Sequence, residues 1–113
     1  MTTSNYVYLR DSKFIKISGE DRREFLQNLI TNDINKCTSK NPIYACLLTP
    51  QGKFIADFFI IEDKTDFVVE IHNKFINEFS NKLEIYKLNS KVIINKINNL
   101  ISLVLLENNN NLQ

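Results

Sequence analysis

One carboxylate stands inside an otherwise apolar segment near the middle of this 113-residue chain. Asp57 follows a Pro-x-Gly turn at residues 49–52, in a segment whose apolar alternation predicts a β-strand. Because side chains alternate between the two faces of a strand, Asp57 shares a face with Ile55, Phe59 and Ile61. A carboxylate on an apolar face is unfavourable unless a donor or a cation satisfies it. We therefore expect Asp57 either to accept structural hydrogen bonds or to contact a ligand.

Histidine and cysteine are too sparse to form a recognisable catalytic or metal-binding motif. His72 is the single histidine, and we expect it at the surface or as a helix cap, because no neighbouring serine or cysteine has a catalytic spacing. Cys37 lies in a polar loop, which predicts a partly exposed thiol, whereas Cys46 lies in an apolar strand, which predicts a small core residue. Two separated cysteines argue against a disulfide framework and are typical of a reducing, cytoplasmic compartment.

Composition narrows the classes of partner. The chain carries 14 basic and 13 acidic residues, a net charge of +1, so it lacks the basic surface typical of nucleic-acid binding. No apolar run approaches the ~20 residues that a membrane span needs, so we expect no membrane partner. With only two glycines, the sequence has no phosphate-binding loop. The length suits one domain with its own core.

Apolar spacing predicts two helices. Residues 19–30 carry an apolar stripe and begin after Ser18, which we expect to be the N-cap. Residues 73–86 repeat apolar side chains every three or four positions, with Asn73 as the expected N-cap. The polar segment 32–42 predicts a loop. Period-two alternation between turn residues predicts strands at 6–11, 14–18, 44–49, 54–62, 67–71, 92–97 and 102–106.

These elements predict an α+β fold in which two helices cover one face of a mainly antiparallel sheet. We expect one domain over residues 1–107 and a disordered polar tail at 108–113, which is rich in asparagine. The hairpin at 44–62 is apolar on both faces, so we expect its second face to need a cover as well.

Five segments together resemble a known family. They read Ile-Ser-Gly-Glu-Asp at 17–21, Phe-Leu-Gln-Asn at 25–28, Thr-Asn-Asp-Ile at 31–34, the hairpin at 47–61, and Ile-Tyr-Lys-Leu-Asn-Ser-Lys-Val at 85–92. In order and spacing they resemble the folate-binding iron-sulfur cluster maintenance proteins, the YgfZ-like relatives of the glycine cleavage T-protein (aminomethyltransferase). The resemblance runs from Tyr8 to Leu106 and implies the fold of the amino-terminal folate-binding domain of that superfamily.

For Asp57 the resemblance implies a role in folate binding. In the T-protein relatives a pair of aspartates follows the corresponding glycine turn, and one of them faces the folate and assists its attack through a ring-linked nitrogen. Here the pair is Ala56 and Asp57, so one member is present and the other is not. A purely structural role, with hydrogen bonds from backbone or hydroxyl groups, stays open for Asp57.

Two further matches supply candidate cofactor-binding residues. Thr31, Asn32 and Asp33 match a recurring Thr-Asn-Asp element, although such a cluster after a helix is also a common capping and turn device. The family's Tyr-Lys-Leu-Arg element has Asn89 in place of its arginine, and asparagine lacks the charged fork that binds a carboxylate tail. Lys91 could partly replace that charge.

As a function, the resemblance implies tetrahydrofolate-dependent assistance to iron-sulfur cluster assembly or repair, with folate and iron-sulfur proteins as partners. The family's later Lys-Gly-Cys-Tyr-x-Gly-Gln-Glu signature has no counterpart in this sequence. We therefore expect a fragment or split subunit that is not catalytic alone and binds tetrahydrofolate weakly or not at all. An aminomethyltransferase-like enzyme fragment and a non-catalytic interaction module or relic stay open. The apolar hairpin also predicts self-association or binding of a missing carboxy-terminal portion.

Overall fold

Two helices pack on one face of a five-stranded antiparallel sheet, in a computed structural model that describes residues 11–98. In chain order the elements are β1 (Ser12–Ser18), α1 (Arg22–Leu29), a 3₁₀ helix (Ile34–Lys36), β2 (Ile43–Leu48), β3 (Phe54–Asp63), β4 (Asp66–His72), α2 (Asn73–Lys87) and β5 (Ile93–Ile97). The strands lie in the order β2-β3-β4-β1-β5. The predicted α+β class is thereby confirmed.

Some expected features lie outside the described residues. These are the strand at 102–106, nearly all of the strand at 6–11, and the tail at 108–113 that would end the domain. Within the described part, β1 begins at Ser12, two residues before the predicted start of the strand at 14–18. The predicted loop at 32–42 contains the 3₁₀ helix, whose first turn is stabilised when Asp33 accepts a hydrogen bond from the Asn35 backbone.

The core lies between the helices and the sheet face that they cover. Ile60 of β3 pairs with Val69 of β4, and neither side chain is accessible to solvent. From α2, the ring of Phe79 lies with its centroid 4.8 Å from that of Phe58 on β3. Burying a side chain of this size contributes roughly 1.5–3 kcal/mol relative to leaving it exposed. This covered face supplies most of the burial that stabilises the described fold.

α2 matches its predicted position but not its predicted cap. The helix runs from Asn73 to Lys87, and Phe79 and Leu83 bury the predicted stripe. His72, not Asn73, is the N-cap, because its ring nitrogen accepts a hydrogen bond from the Lys74 backbone. The prediction that His72 serves as a helix cap is therefore confirmed.

α1 begins three residues later than predicted. Ser18 belongs to β1 and is not a cap, and Gly19 has a φ of +111°, which a helix does not accommodate. The N-cap residue Asp21 makes no side-chain cap bond within α1. Its carboxylate instead accepts from the Lys91 backbone at 2.8 Å, and the Asp21 N–H donates to the Lys91 carbonyl at 3.1 Å. A contact between segments distant in sequence therefore determines where α1 begins.

Candidate functional site

The hairpin of β2 and β3 carries Asp57 and contains a β-bulge. The Gly52 N–H donates to the Thr49 carbonyl at 2.8 Å, as expected for the predicted turn at 49–52. Leu48 pairs with Phe54, but Leu47 pairs with Ala56, so β3 carries one extra residue, Ile55, at that point. Bulges of this kind redirect the side chains that follow them.

The bulge decides the direction of Asp57. If the pairing of Leu48 with Phe54 continued without the extra residue, Asp57 would lie opposite Ala45, which is buried on the helix-covered face. With it, Asp57 lies opposite Cys46, on the face that the helices do not cover. Ile55 is only 5% exposed and belongs to the core, so the expectation that it shares the face of Asp57 is wrong.

Tyr44 satisfies the Asp57 carboxylate. The Tyr44 hydroxyl donates to Asp57 Oδ2 at 2.6 Å, a short distance typical of a charge-assisted hydrogen bond. Tyr44 is the diagonal neighbour of Asp57 across the two strands, within reach of a long aromatic side chain. This hydrogen bond is the main cause that raises the pKa of the Tyr44 hydroxyl, and the neighbouring Cys46 side chain adds a smaller effect. The phenol therefore stays protonated and remains a donor at neutral pH.

Aromatic surface surrounds this pair. The rings of Tyr44 and Phe59 lie with centroids 5.3 Å apart, tilted by 55°. Tyr44 is 49% exposed and Phe59 is 44% exposed, so both rings offer surface to a ligand. We call this group of Tyr44, Cys46, Asp57 and Phe59 the open-face cluster. It combines a carboxylate acceptor, a hydroxyl and two ring faces on one side of the sheet.

The predicted residues that follow α1 lie along the outer edge of β2. The Thr31 hydroxyl accepts from the Cys46 N–H at 2.9 Å, and the Asn32 amide donates to the Tyr44 carbonyl at 2.8 Å. The Thr31 N–H also donates to the Cys46 carbonyl at 3.1 Å. These bonds satisfy backbone groups that an edge strand would leave exposed. Asp33 lies next to them but caps the 3₁₀ helix.

Lys91 is not brought together with Asp57. It precedes β5, which lies three strands away from β3 in the sheet, or about 15 Å at the usual strand spacing. Its ammonium group lies 3.6 Å from the carboxylate of Glu20, and both side chains are largely exposed. Of the five predicted site residues, the structure gathers Thr31, Asn32 and Asp57 around the β2–β3 hairpin.

The expectations for the two cysteines are reversed. Cys37 is 2% exposed and lies in the core, where its thiol donates to the Ile60 carbonyl at 3.2 Å. Its loop folds inward onto β3, which the polarity of the neighbouring residues did not indicate. Burial, with the nearby charge of Glu62 as the next cause, raises the pKa of the Cys37 thiol to about 11. Cys46 is partly exposed because its strand position faces the open side of the sheet.

Tyr44 is the member of the cluster that the sequence did not reveal. Tyr44 lies thirteen positions before Asp57 in the chain, and only the bulge places the two side chains on the same face of the sheet. Within residues 11–98 there is no group of three His, Cys, Asp or Glu side chains that could hold a metal ion. In the same range, no helix is long and apolar enough to cross a membrane.

Comparison with known proteins identifies relatives of this chain. No protein-family model matches it. A protein named iron-sulfur cluster assembly factor IBA57 homolog, mitochondrial, from Neurospora crassa is 33% identical over 90 residues, covering 74% of this chain and 20% of that protein. The aminomethyltransferase of Bacillus pumilus is 27% identical over 94 residues, covering 82% of this chain and 26% of that protein. The chain is a relative of both.

A solved structure supports this relationship at the level of the fold. Glycine cleavage system aminomethyltransferase T from Bartonella henselae matches with a TM-score of 0.72 and 15% sequence identity. The match covers 80% of this chain and 25% of that chain. The predicted resemblance to iron-sulfur cluster assembly proteins and aminomethyltransferases is confirmed by these matches, and the chain spans between a fifth and about a quarter of the length of these relatives.

Proposed function

We propose that this chain forms the folate-facing sheet of a protein that uses tetrahydrofolate to assist iron-sulfur cluster assembly or repair. The observation that carries the proposal is the hydrogen-bonded pair of Tyr44 and Asp57 beside the half-exposed ring of Phe59. Similarity to a protein named for iron-sulfur cluster assembly supports the client class, and similarity to aminomethyltransferases supports the cofactor.

The open-face cluster has the groups that a reduced pterin ring requires. Such a ring offers N–H donors at its edge and a flat face. The Asp57 carboxylate has several acceptor sites, of which Tyr44 occupies one on Oδ2, so further donors can bind. The half-exposed rings of Tyr44 and Phe59 provide surface for packing against the flat face. Tetrahydrofolate would supply the one-carbon carrier nitrogen, while this chain orients the ring.

The other candidate residues have different roles in this proposal. Thr31 and Asn32 hold β2 against its neighbouring segment and so fix the position of Tyr44. Asp33 supports the same segment by capping the 3₁₀ helix. Lys91 is too distant from Asp57 to meet the pterin, so it would meet only the carboxylate tail of the cofactor.

An aminomethyltransferase-like enzyme fragment is the second candidate, favoured by the match to the Bartonella henselae structure. One observation counts against it. The position before Asp57 is Ala56, which is completely buried in the core. A second carboxylate could not replace that methyl group without being buried, so this chain cannot restore the paired aspartates of the transferases.

The proposal also includes a cellular compartment and partner proteins. Both described cysteines are free, which is consistent with a reducing compartment such as the cytoplasm. Iron-sulfur proteins would be the clients, and a carboxy-terminal portion or a second copy would complete the cofactor cavity. Fractionation of cells that express the tagged chain would test the cytoplasmic location, since the relatives named for iron-sulfur cluster assembly are called mitochondrial.

Ligand titration followed by NMR tests the folate proposal on the chain itself. We expect millimolar tetrahydrofolate to shift the amide signals of Tyr44, Asp57 and Phe59 and to leave those of α1 unchanged. The substitution Asp57→Asn should abolish these shifts with little change in fold, because the side chain keeps its size but loses its charge. When the chain is combined with a carboxy-terminal portion, the same substitution should remove folate-dependent activity.

Asp63→Asn is the matched control. Asp63 lies at the exposed end of the same strand, and its substitution likewise replaces a carboxylate by an amide. Tetrahydrofolate shifts that persist in Asp57→Asn, or that disappear equally in Asp63→Asn, would return Asp57 to a purely structural role.

A further inference from the structure

The N-terminus of α2 is capped by an imidazole. His72 Nδ1 accepts a hydrogen bond from the Lys74 backbone N–H at 3.0 Å. A neutral imidazole has one acceptor nitrogen and one N–H group, so this bond requires the form that is protonated at Nε2. The usual capping side chains keep their acceptor oxygens between pH 5 and 8, whereas an imidazole titrates in that range.

We propose that protonation of His72 uncaps α2, so that the start of this helix is sensitive to pH. Once Nδ1 carries a proton, two N–H groups face each other and the bond to Lys74 is lost. The imidazolium also brings positive charge to the helix N-terminus, where the helix dipole disfavours it. Both effects act against the first turn of α2 and leave its last turn unaffected.

The charged groups that face His72 come from several elements. Asp11, on the segment before β1, has its carboxylate 3.8 Å from His72 Nε2. Asp57 on β3 directly precedes Phe58, which pairs with Ile71 of β4. Asp57 therefore lies on the same face of the sheet as His72. Glu70 is two residues earlier on that face of β4. Asp11 is the carboxylate in contact with the imidazole, so an imidazolium would keep an attractive partner at Nε2 while its bond at Nδ1 is lost. Lys74 is a cation on α2 itself.

Loss of the cap would also affect the turn end of the β2–β3 hairpin. Phe75 lies in the first turn of α2, and its ring packs edge-on against Phe54 with centroids 5.6 Å apart. The His72 ring also lies 6.3 Å from that of Phe75. Loosening the first turn therefore weakens a ring contact of Phe54, the already exposed residue with which β3 begins. The inference does not depend on folate binding.

Amide hydrogen exchange of the intact chain tests this inference. Between pH 8 and pH 5.5, after correction for intrinsic rates, the amides of residues 74–77 should exchange about fivefold faster, as expected for the loss of one cap. The amides of residues 84–87 should not change. The midpoint should coincide with the titration of the His72 ring signals.

Two variants decide the outcome. His72→Asn keeps a capping acceptor that does not titrate, so its first turn should be equally protected at both pH values. His72→Ala lacks the acceptor, so its first turn should exchange at pH 8 as fast as the unsubstituted chain does at pH 5.5. The inference is overturned if the Lys74 amide is unaffected while His72 titrates, or if His72→Asn shows the same pH dependence.

Discussion

Asp57 is tolerated in an apolar strand because the bulge in β3 turns it away from the helix-covered core and because Tyr44 donates to it. The sequence predicted that this carboxylate needs a partner, since an isolated charge among apolar neighbours is unfavourable. It could not predict Tyr44, because one extra residue in β3 decides which side chains share a face. A register shift of one residue moves every later side chain to the other side.

At the same scale, the burial of Cys37 predicts a loss of stability at alkaline pH. Burial in the fold raises the pKa of this thiol from an ordinary value of 9.0 to about 11, so the folded chain holds the proton more tightly than the unfolded chain does. The stabilisation is complete below pH 9 and is lost as the pH rises from about 9 to about 11. We expect the loss to be roughly 2 kcal/mol, measured by urea unfolding at each pH.

Cys37→Ala separates this effect from the titration of lysines and tyrosines. The variant should be less stable than the unsubstituted chain at pH 8, because it leaves a small cavity, but the difference should shrink towards pH 11. Cys46→Ala is the control, since that thiol is partly exposed. A stability difference for Cys37→Ala that stays constant across this range would contradict the prediction.

At the scale of the elements, helices and strands with long periodic patterns could be predicted, whereas their ends could not. α2 has fifteen residues, and its apolar spacing defined it to within one residue. α1 was placed too early because its beginning depends on Lys91, 70 residues away from Asp21 in the chain. Caps formed by distant segments leave no local signal, so sequence rules assigned Ser18 to a role that it does not have.

The close contact between Gly19 and the segment before β5 predicts that Gly19 cannot be replaced without a loss of stability. A Cβ atom at Gly19 would lie 2.2 Å from the Lys91 carbonyl oxygen, and the φ of +111° is unfavourable for any other residue. Because the obstacle is backbone, it cannot rotate away. We expect Gly19→Ala to destabilise the chain by about 3 kcal/mol or more in urea unfolding, from strain and loss of packing.

Gly52→Ala is the matched comparison. Gly52 also has a positive φ, +89°, but an added Cβ atom would meet nothing within 4 Å. That substitution should cost only about 1 kcal/mol, from the backbone conformation alone. Equal losses for the two variants would show that the approach of Gly19 to Lys91 does not determine the packing of α1.

At the scale of the whole molecule, the two faces of the sheet are unequal. The helices cover one face. Among residues 11–98, most of the exposed large apolar side chains belong to the β2–β3 hairpin. The hairpin contributes Tyr44, Leu48, Phe54 and Phe59, each more than one third exposed. The sequence predicted an apolar surface on both sides of this hairpin, and the helices account for one of them. Apolar groups clustered in this way usually mark a site of interaction.

We expect the chain to self-associate through this hairpin surface at high concentration. Phe59→Lys should shift the weight-average mass in sedimentation equilibrium towards the monomer, because it places a charge in the middle of the surface. Ile85→Lys is the control, since Ile85 is an exposed apolar residue on α2, away from the hairpin. A chain that stays monomeric at millimolar concentration, or an equal effect of both substitutions, would exclude the hairpin as the contact.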